Sequence, residues 1–340
     1  MRASIFTSIC LVLTVSVFAQ QRVALNSNST TTIFSGSNPF NDAYLAAVNG
    51  DTLYLPGGNI PYPALIDKSL TIFGAGYHPD SSLTTQATTL TGNLNISGNA
   101  DGLRLEGIHI TGILEFNNNQ KVDNVTLTRC RMSQVLYTGN RTTPCENNLI
   151  KECIINSNMN FANAQFISVS NCFIGGQLSN GYELSVMNSI LLFNATFTIS
   201  IAPTISNANN SYFANNIFTR STQPTYVVSG SLNTFTKNIF RSTPTFGTNS
   251  FIDNFYDVVI EAVLINQSGY TYEYTQNYNL VNPAVYIGTD MTQLGVYGGL
   301  YPFKNGGIPM NPHFQFKLIA PQTNSNGELQ IEIQVESQNN

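Results

Sequence analysis

Six ionisable residues recur at intervals of one repeat: Glu106 and His109, then Arg129 and Arg131, then Lys151 and Glu152. Grouped carboxylates can hold a hard divalent cation through oxygen, and a nearby basic side chain can remove a proton beside a substrate carboxyl. On that chemistry Glu106, Arg131 and Glu152 are the catalytic candidates, with His109, Arg129 and Lys151 beside them as binding candidates. The signs alternate, however, where a metal site would collect carboxylates, and this favours a ladder of opposite charges, Glu106 over Arg129 over Glu152, between neighbouring turns. No metal site is expected from His or Cys: only His78, His109 and His313 exist, and they lie far apart in sequence. No serine sits in a recognisable nucleophile turn.

These residues belong to a repeat. Taking Ile108, Cys130, Cys153, Cys172, Ser189, Asn216, Asn238, Asn254 and Asn277 as anchors, the position three before each is apolar or aromatic, from Leu105 to Tyr274. The position two after runs from Ile110 and Met132 to Phe240 and Tyr256, polar only at Asn279. A fixed period with like residues stacked on like is the mark of a solenoid. Val125-Thr-Leu-Thr, Phe166-Ile-Ser-Val and Asn233-Thr-Phe-Thr alternate as half-buried strands do, and no turn carries a helix or a leucine-rich pattern. The fold class expected is therefore all-β, a parallel β-helix. Asn41–Val48 reads as a short capping helix after Pro39, and the alternation of Leu329, Ile331, Ile333 and Val335 as a strand in a C-terminal cap or appended β-element.

One column resists explanation by stacking. The residue after each anchor is His109, Arg131, Ile154, Phe173, Ile190, Ile217, Ile239, Phe255 and Tyr278, and strict alternation turns it outward. Left open, this apolar stripe is a docking surface, with Phe173, Ile217, Phe255 and Tyr278 as binding candidates. Covered by a long loop or the C-terminal tail, it is core.

Composition bounds the rest. The chain has 340 residues, of which only 10% are charged against roughly 25% in an average protein, so polar faces must be paved with Asn, Ser, Thr and Gln. A net charge of -5 without a basic cluster excludes a nucleic-acid partner. Arg2, the apolar run Ile5–Phe18 and Ala19 form a cleavable export signal over residues 1–20, with no transmembrane segment expected after cleavage. The location expected is secreted, periplasmic or cell-surface. Of the four remaining cysteines, Cys130, Cys153 and Cys172 stack in one column as apolar fillers, and Cys145 is left free to capture one of them.

Ala47–Gly58 followed by Lys68–Gly76, repeats such as Asn215-Asn-Ile-Phe218, and Asn282–Gly288 with Leu294–Gly298 resemble the right-handed parallel β-helix proteins of the pectin-lyase-like superfamily, in particular secreted bacterial members. The resemblance covers roughly residues 40–300 and implies a right-handed, single-stranded helix: signal at 1–20, β-helix with N-terminal cap at 21–300, C-terminal element at 301–340. It implies little about activity, because this fold hosts lyases, hydrolases, adhesins and tailspikes. The three multi-residue motifs of the polygalacturonase-like hydrolases are absent. The function expected is a secreted or surface-exposed binding protein directed at a polysaccharide or cell-surface glycan, without a cofactor. The alternatives are a polysaccharide lyase for acidic glycans, the one reading that would use calcium, and a structural or assembly component.

Overall fold

A computed structural model describes residues 21–192, 203–220 and 227–337; the expected export signal lies outside the described residues. The chain is all-β with long parallel sheets wound as a solenoid. The first sheet has 12 strands among the described residues. It begins with the antiparallel pair Arg22–Ser27 and Thr30–Ser35, joins Thr52–Tyr54, and continues in parallel register to Ser250–Ile252. The second sheet, with 15 strands among the described residues, collects the strands just beyond the bends together with the next strand of each turn, such as Met159–Asn160 and Leu178–Ser179, and extends from Gly58–Asn59 to Ile239–Phe240. In-register pairing places Leu105, Leu127, Ile150 and Val169 directly above one another, all buried.

The same stacking holds the later turns together through rings. Phe213, Phe235 and Phe251 stack at centroid distances of 4.7 and 4.6 Å, and Phe218 and Phe240 at 4.5 Å. Such offset pairs add to the area they bury. The anchors point inward and form a hydrogen-bonded ladder. The Asn216 amide donates to Asn238 Oδ1 at 2.9 Å, Asn238 to Asn254 Oδ1 at 2.8 Å, and Ser189 to Asn216 Oδ1 at 2.9 Å. Cys130 and Cys153 continue it with amides aimed at the next Sγ. The four cysteines among the described residues are buried free thiols, Cys145 included.

The bend is marked by the residue before each anchor. Gly107, Arg129, Glu152, Asn171, Asn188, Asn215, Lys237 and Asp253 all have φ between +46° and +70°. Asn and Gly accept this left-handed backbone readily, whereas for other residues it costs roughly 1–2 kcal/mol. The Arg129 and Glu152 amides remain satisfied there by Lys151 O and Ser170 O.

Two expectations change. The capping helix runs Pro39–Ala46, starting earlier because Pro39 suits the first helical position, and it buries Phe40, Ala43 and Tyr44 as it packs on the antiparallel pair that opens the first sheet. The repeat does not reach Asn277: the last parallel contact is the Ile239–Phe255 bridge, and Asn277–Leu280 pairs antiparallel with Leu264–Asn266. The spacing of Tyr274, Asn277 and Asn279 mimics a turn inside what is a hairpin. Of the two readings of the apolar stripe, the structure shows the covered one. Beyond Val259 the chain turns back and lies along the bends, burying Ile154, Phe173, Ile190, Ile217 and Ile239 in a second core with Tyr272, Tyr278, Leu294 and Phe303.

The bend residues hold this returning strap in place. Asn215 Oδ1 accepts from the Thr289 amide at 2.9 Å, and the Asn215 carbonyl from the Gly295 amide at 2.8 Å. Asn171 Nδ2 donates to the carbonyls of Val296 and Gly298 at 2.9 and 2.7 Å. Arg129 Nη1 donates to Ile308 O at 3.3 Å, and the Met310 amide to Glu106 Oε1 at 2.7 Å. Strap number rises as solenoid number falls, so the segment retraces the solenoid from its last turns to its first.

Candidate functional site

The strap reaches the early turns at the edge of the first sheet, and there the charged residues gather. In that sheet Ile72, Leu105 and Leu127 point inward, so their neighbours point out. One outward row is Thr71, Arg104 and Thr126; the next is Phe73, Glu106, Thr128 and Lys151. Tyr54 extends the second row and stacks on Phe73 at 5.6 Å and 18°. The side chains of the two rows from Thr71 and Phe73 onward, with Leu105 and, from the strap, Met310, line a cleft of about 230 Å³, and Tyr54 lies beside it through its stack on Phe73. A second hollow of about 230 Å³, lined by Arg129, Lys151, Glu152, Tyr301, Lys304 and Met310, shares Lys151 and Met310 with the first, so the two are neighbours.

Glu106, Arg129 and Glu152 form the charge ladder, and it is buried. The Arg129 side chain is 3% exposed and that of Glu152 2%. Nε bonds Glu152 Oε2 at 2.8 Å and Nη1 lies 3.5 Å from Glu106 Oε1. Burial pushes the Glu106 carboxyl above its ordinary range; the Met310 amide and Arg129 pull it back, and Glu152 raises it further. With Nε and Nη1 engaged by two carboxylates and a strap carbonyl, Arg129 ties the strap to the solenoid. With Arg129 and Glu152 paired to each other, the other charged residues lining the clefts are Arg104, Lys151 and Lys304 against Glu106, an excess of positive charge. Lys151 also holds its ammonium 4.6 Å over the Tyr301 ring. The arrangement can receive an anionic or hydroxyl-rich ligand: cations and threonines line the cleft, and an aromatic pair lies at one end.

The structure separates the other two early candidates from this cleft. His109 and Arg131 begin the strands after the bend, paired in register on the second sheet. The left-handed residue at 129 turns the chain between Arg129 and Arg131, so the two arginines do not share a face as they would in a straight strand. The Arg131 guanidinium lies 4.9 Å from the Tyr274 ring centroid and Nη2 bonds Asn156 Oδ1 at 3.3 Å, while buried Nε has no partner among the described residues. His78 packs on the same Tyr274 ring at 4.3 Å. Burial and Arg131 together pull the His109 imidazole down to about 4.

Of the stripe candidates, Phe173 and Ile217 are fully buried, and Phe255 is partly covered by Tyr286. Tyr278 belongs to the strap itself and packs on Phe173 at 4.6 Å. None of these forms an open apolar face. Tyr54, Phe73, Arg104 and Thr126 were missed as site residues, although alternation around Leu53, Ile72, Leu105 and Leu127 carries the signal that they face outward. Tyr301, Lys304 and Met310 had no such signal, because only the fold of the strap brings them to the sheet.

Among the described residues no group of three or more His, Cys, Asp or Glu side chains is placed to hold a metal ion, and no helix is long and apolar enough to cross a membrane. No protein-family model, curated protein or solved structure matches the chain.

Proposed function

We propose that this chain is an exported right-handed parallel β-helix of the pectin-lyase-like kind that binds carbohydrate, and that the cleft between the first sheet and the strap is where it does so. The observation that carries the reading is the outward face itself: the Tyr54–Phe73 stack beside Arg104, Thr126, Thr128 and Lys151, roofed by Met310. Sugar rings present apolar faces that pack on aromatic rings, while their hydroxyls bond to threonine and charged groups. Arg104 and Lys151 favour a ligand that carries carboxylates, Arg104 through paired donors and Lys151 as a point charge. Export rests on the pattern of residues 1–20.

Binding is favoured over lyase chemistry for a geometric reason. The proton-abstracting candidate, Arg131, is on the far side of the bend from Glu106, and Arg129, which does lie beside Glu106, has Nε and Nη1 held in ion pairs and a strap bond by Glu152, Glu106 and Ile308. A glycan array followed by an assay for ultraviolet-absorbing unsaturated product tests the reading. The expected result is retention of acidic glycans without product, and at least a tenfold loss of affinity in Arg104→Ala, equivalent to about 1.4 kcal/mol. Release of unsaturated product would transfer the site to the lyase alternative, and retention of no glycan would remove the proposal.

A further inference from the structure

The chain's last described strands, His313–Ile319 and Ile331–Glu336, form an antiparallel hairpin with Ile319 opposite Ile331, Lys317 opposite Ile333 and Phe314 opposite Val335. A bulge between Phe314 and Phe316 lets Phe314 share a face with Lys317. Directly opposed residues lie on the same side, so one face carries Phe314, Ile319, Ile331, Ile333 and Val335 around a single charge, Lys317. The other carries Phe316 and Leu318 together with Glu332, Gln334 and Glu336. Every strand residue except His313 is exposed, and the hairpin meets the solenoid at its base, where Thr84 Oγ1 donates to Gln315 O at 2.8 Å.

A two-stranded hairpin alone in water is marginal and gains its stability from a third strand or a second layer. The five apolar side chains of the first face are 43–56% exposed. Together they present roughly 500 Å² per chain, so two such faces in contact bury roughly 1,000 Å², the lower bound for a specific interface. We propose that the occupant is the same face of a second copy, the two hairpins packing as a four-stranded, two-layer element about a two-fold axis. The distribution of charge favours this partner. All acidic residues of the strands lie on the opposite face, in water, so the apolar faces meet without a buried carboxylate. A two-fold axis parallel to the strands sets each Lys317 against the Ile333 strand of its mate, where its stem covers apolar surface and its ammonium reaches solvent. An anionic lipid surface is disfavoured by the hairpin's own charge, since Glu328, Glu332 and Glu336 outnumber Lys317.

Sedimentation equilibrium of the full chain over a range of concentrations tests this, with far-ultraviolet circular dichroism to check that each variant keeps its solenoid. The wild type is expected to follow a monomer–dimer equilibrium. Ile333→Lys is expected to weaken it at least tenfold, Gln334→Lys on the opposite face to leave it unchanged, and Lys317→Leu to tighten it. A wild type that is monomeric throughout, because the face stays open or takes another partner, overturns the proposal. So does a dimer that survives Ile333→Lys, or one weakened equally by Gln334→Lys.

Discussion

Replacing Phe173 with alanine tests whether the strap is an integral layer of the molecule. Phe173 is fully buried, and its ring meets Tyr272, Tyr278 and Phe303 of the strap at 4.7, 4.6 and 4.9 Å. Phe→Ala at a buried site costs about 3–5 kcal/mol. The turn that carries Phe173 keeps its backbone bonds, since the Phe173 amide donates to Cys153 O at 3.0 Å and the variant retains that amide. The loss therefore falls mainly on the contact between solenoid and strap, and the strap can open without unwinding the helix. A loss of about 3 kcal/mol raises the opening constant roughly 150-fold. Hydrogen exchange reads this directly. The Gly295 amide, bonded to Asn215 O at 2.8 Å, and the Phe303 amide, bonded to Val296 O at 2.8 Å, are expected to exchange about two orders of magnitude faster. The Leu192 amide, bonded to Ile174 O within the solenoid, is expected to change little. Unchanged exchange at Gly295 and Phe303, or acceleration of Leu192 by the same factor, would refute the separation of strap from helix.

Three further outcomes follow from the same geometry. Glu152→Ala leaves Arg129 buried without its 2.8 Å partner and is expected to cost about 3 kcal/mol, whereas the double change Arg129→Met with Glu152→Leu is expected to cost less; urea denaturation that ranks them the other way contradicts the ladder's role. Asn238→Ala removes the acceptor of the buried Asn216 amide and is expected to cost about 1–3 kcal/mol, seen as at least tenfold faster exchange at Asn216; unchanged exchange would mean the ladder does not hold the turns. His109 titrates near 6.5 when unfolded and at about 4 when folded, so the unfolded chain binds more protons between those values. Its contribution to stability is complete above pH 6.5, shrinks as pH falls towards 4, and is absent below. Urea midpoints across that range are expected to fall less steeply in His109→Gln, though His78, lowered by burial and by Arg131 and raised by Asp80, keeps part of the slope. Identical slopes would contradict the assignment.

The stacked columns were legible because in-register pairing repeats each residue's environment from turn to turn. Leu105, Leu127 and Ile150, the aromatic stacks and the cysteine column all follow from that one rule. What the sequence concealed depends on long-range return of the chain. Ile154, Phe173 and Ile217 read as outward because alternation turns them outward, and they do leave the inner core, only to enter a second one beneath residues a hundred positions later. Arg131 groups with Glu106 in the sequence because both belong to charged positions of adjacent turns, and the left-handed backbone at Arg129, unforeseen for an arginine, sends Arg131 to the other side of the bend. Asn277 kept the spacing of an anchor inside an antiparallel hairpin, a case in which period alone cannot tell turn from strap.

Hydroxyl-radical footprinting of the full chain with an acidic oligosaccharide tests the central claim most directly, since it reports where the ligand lies as well as whether it binds. The cleft and the Tyr54 ring stacked beside it carry side chains that such labelling detects well. Protection is expected at Tyr54, Phe73 and Met310, and its loss in a chain carrying both Arg104→Ala and Lys151→Ala. Protection confined to another surface, or protection at the cleft that persists in the double variant, would contradict the account.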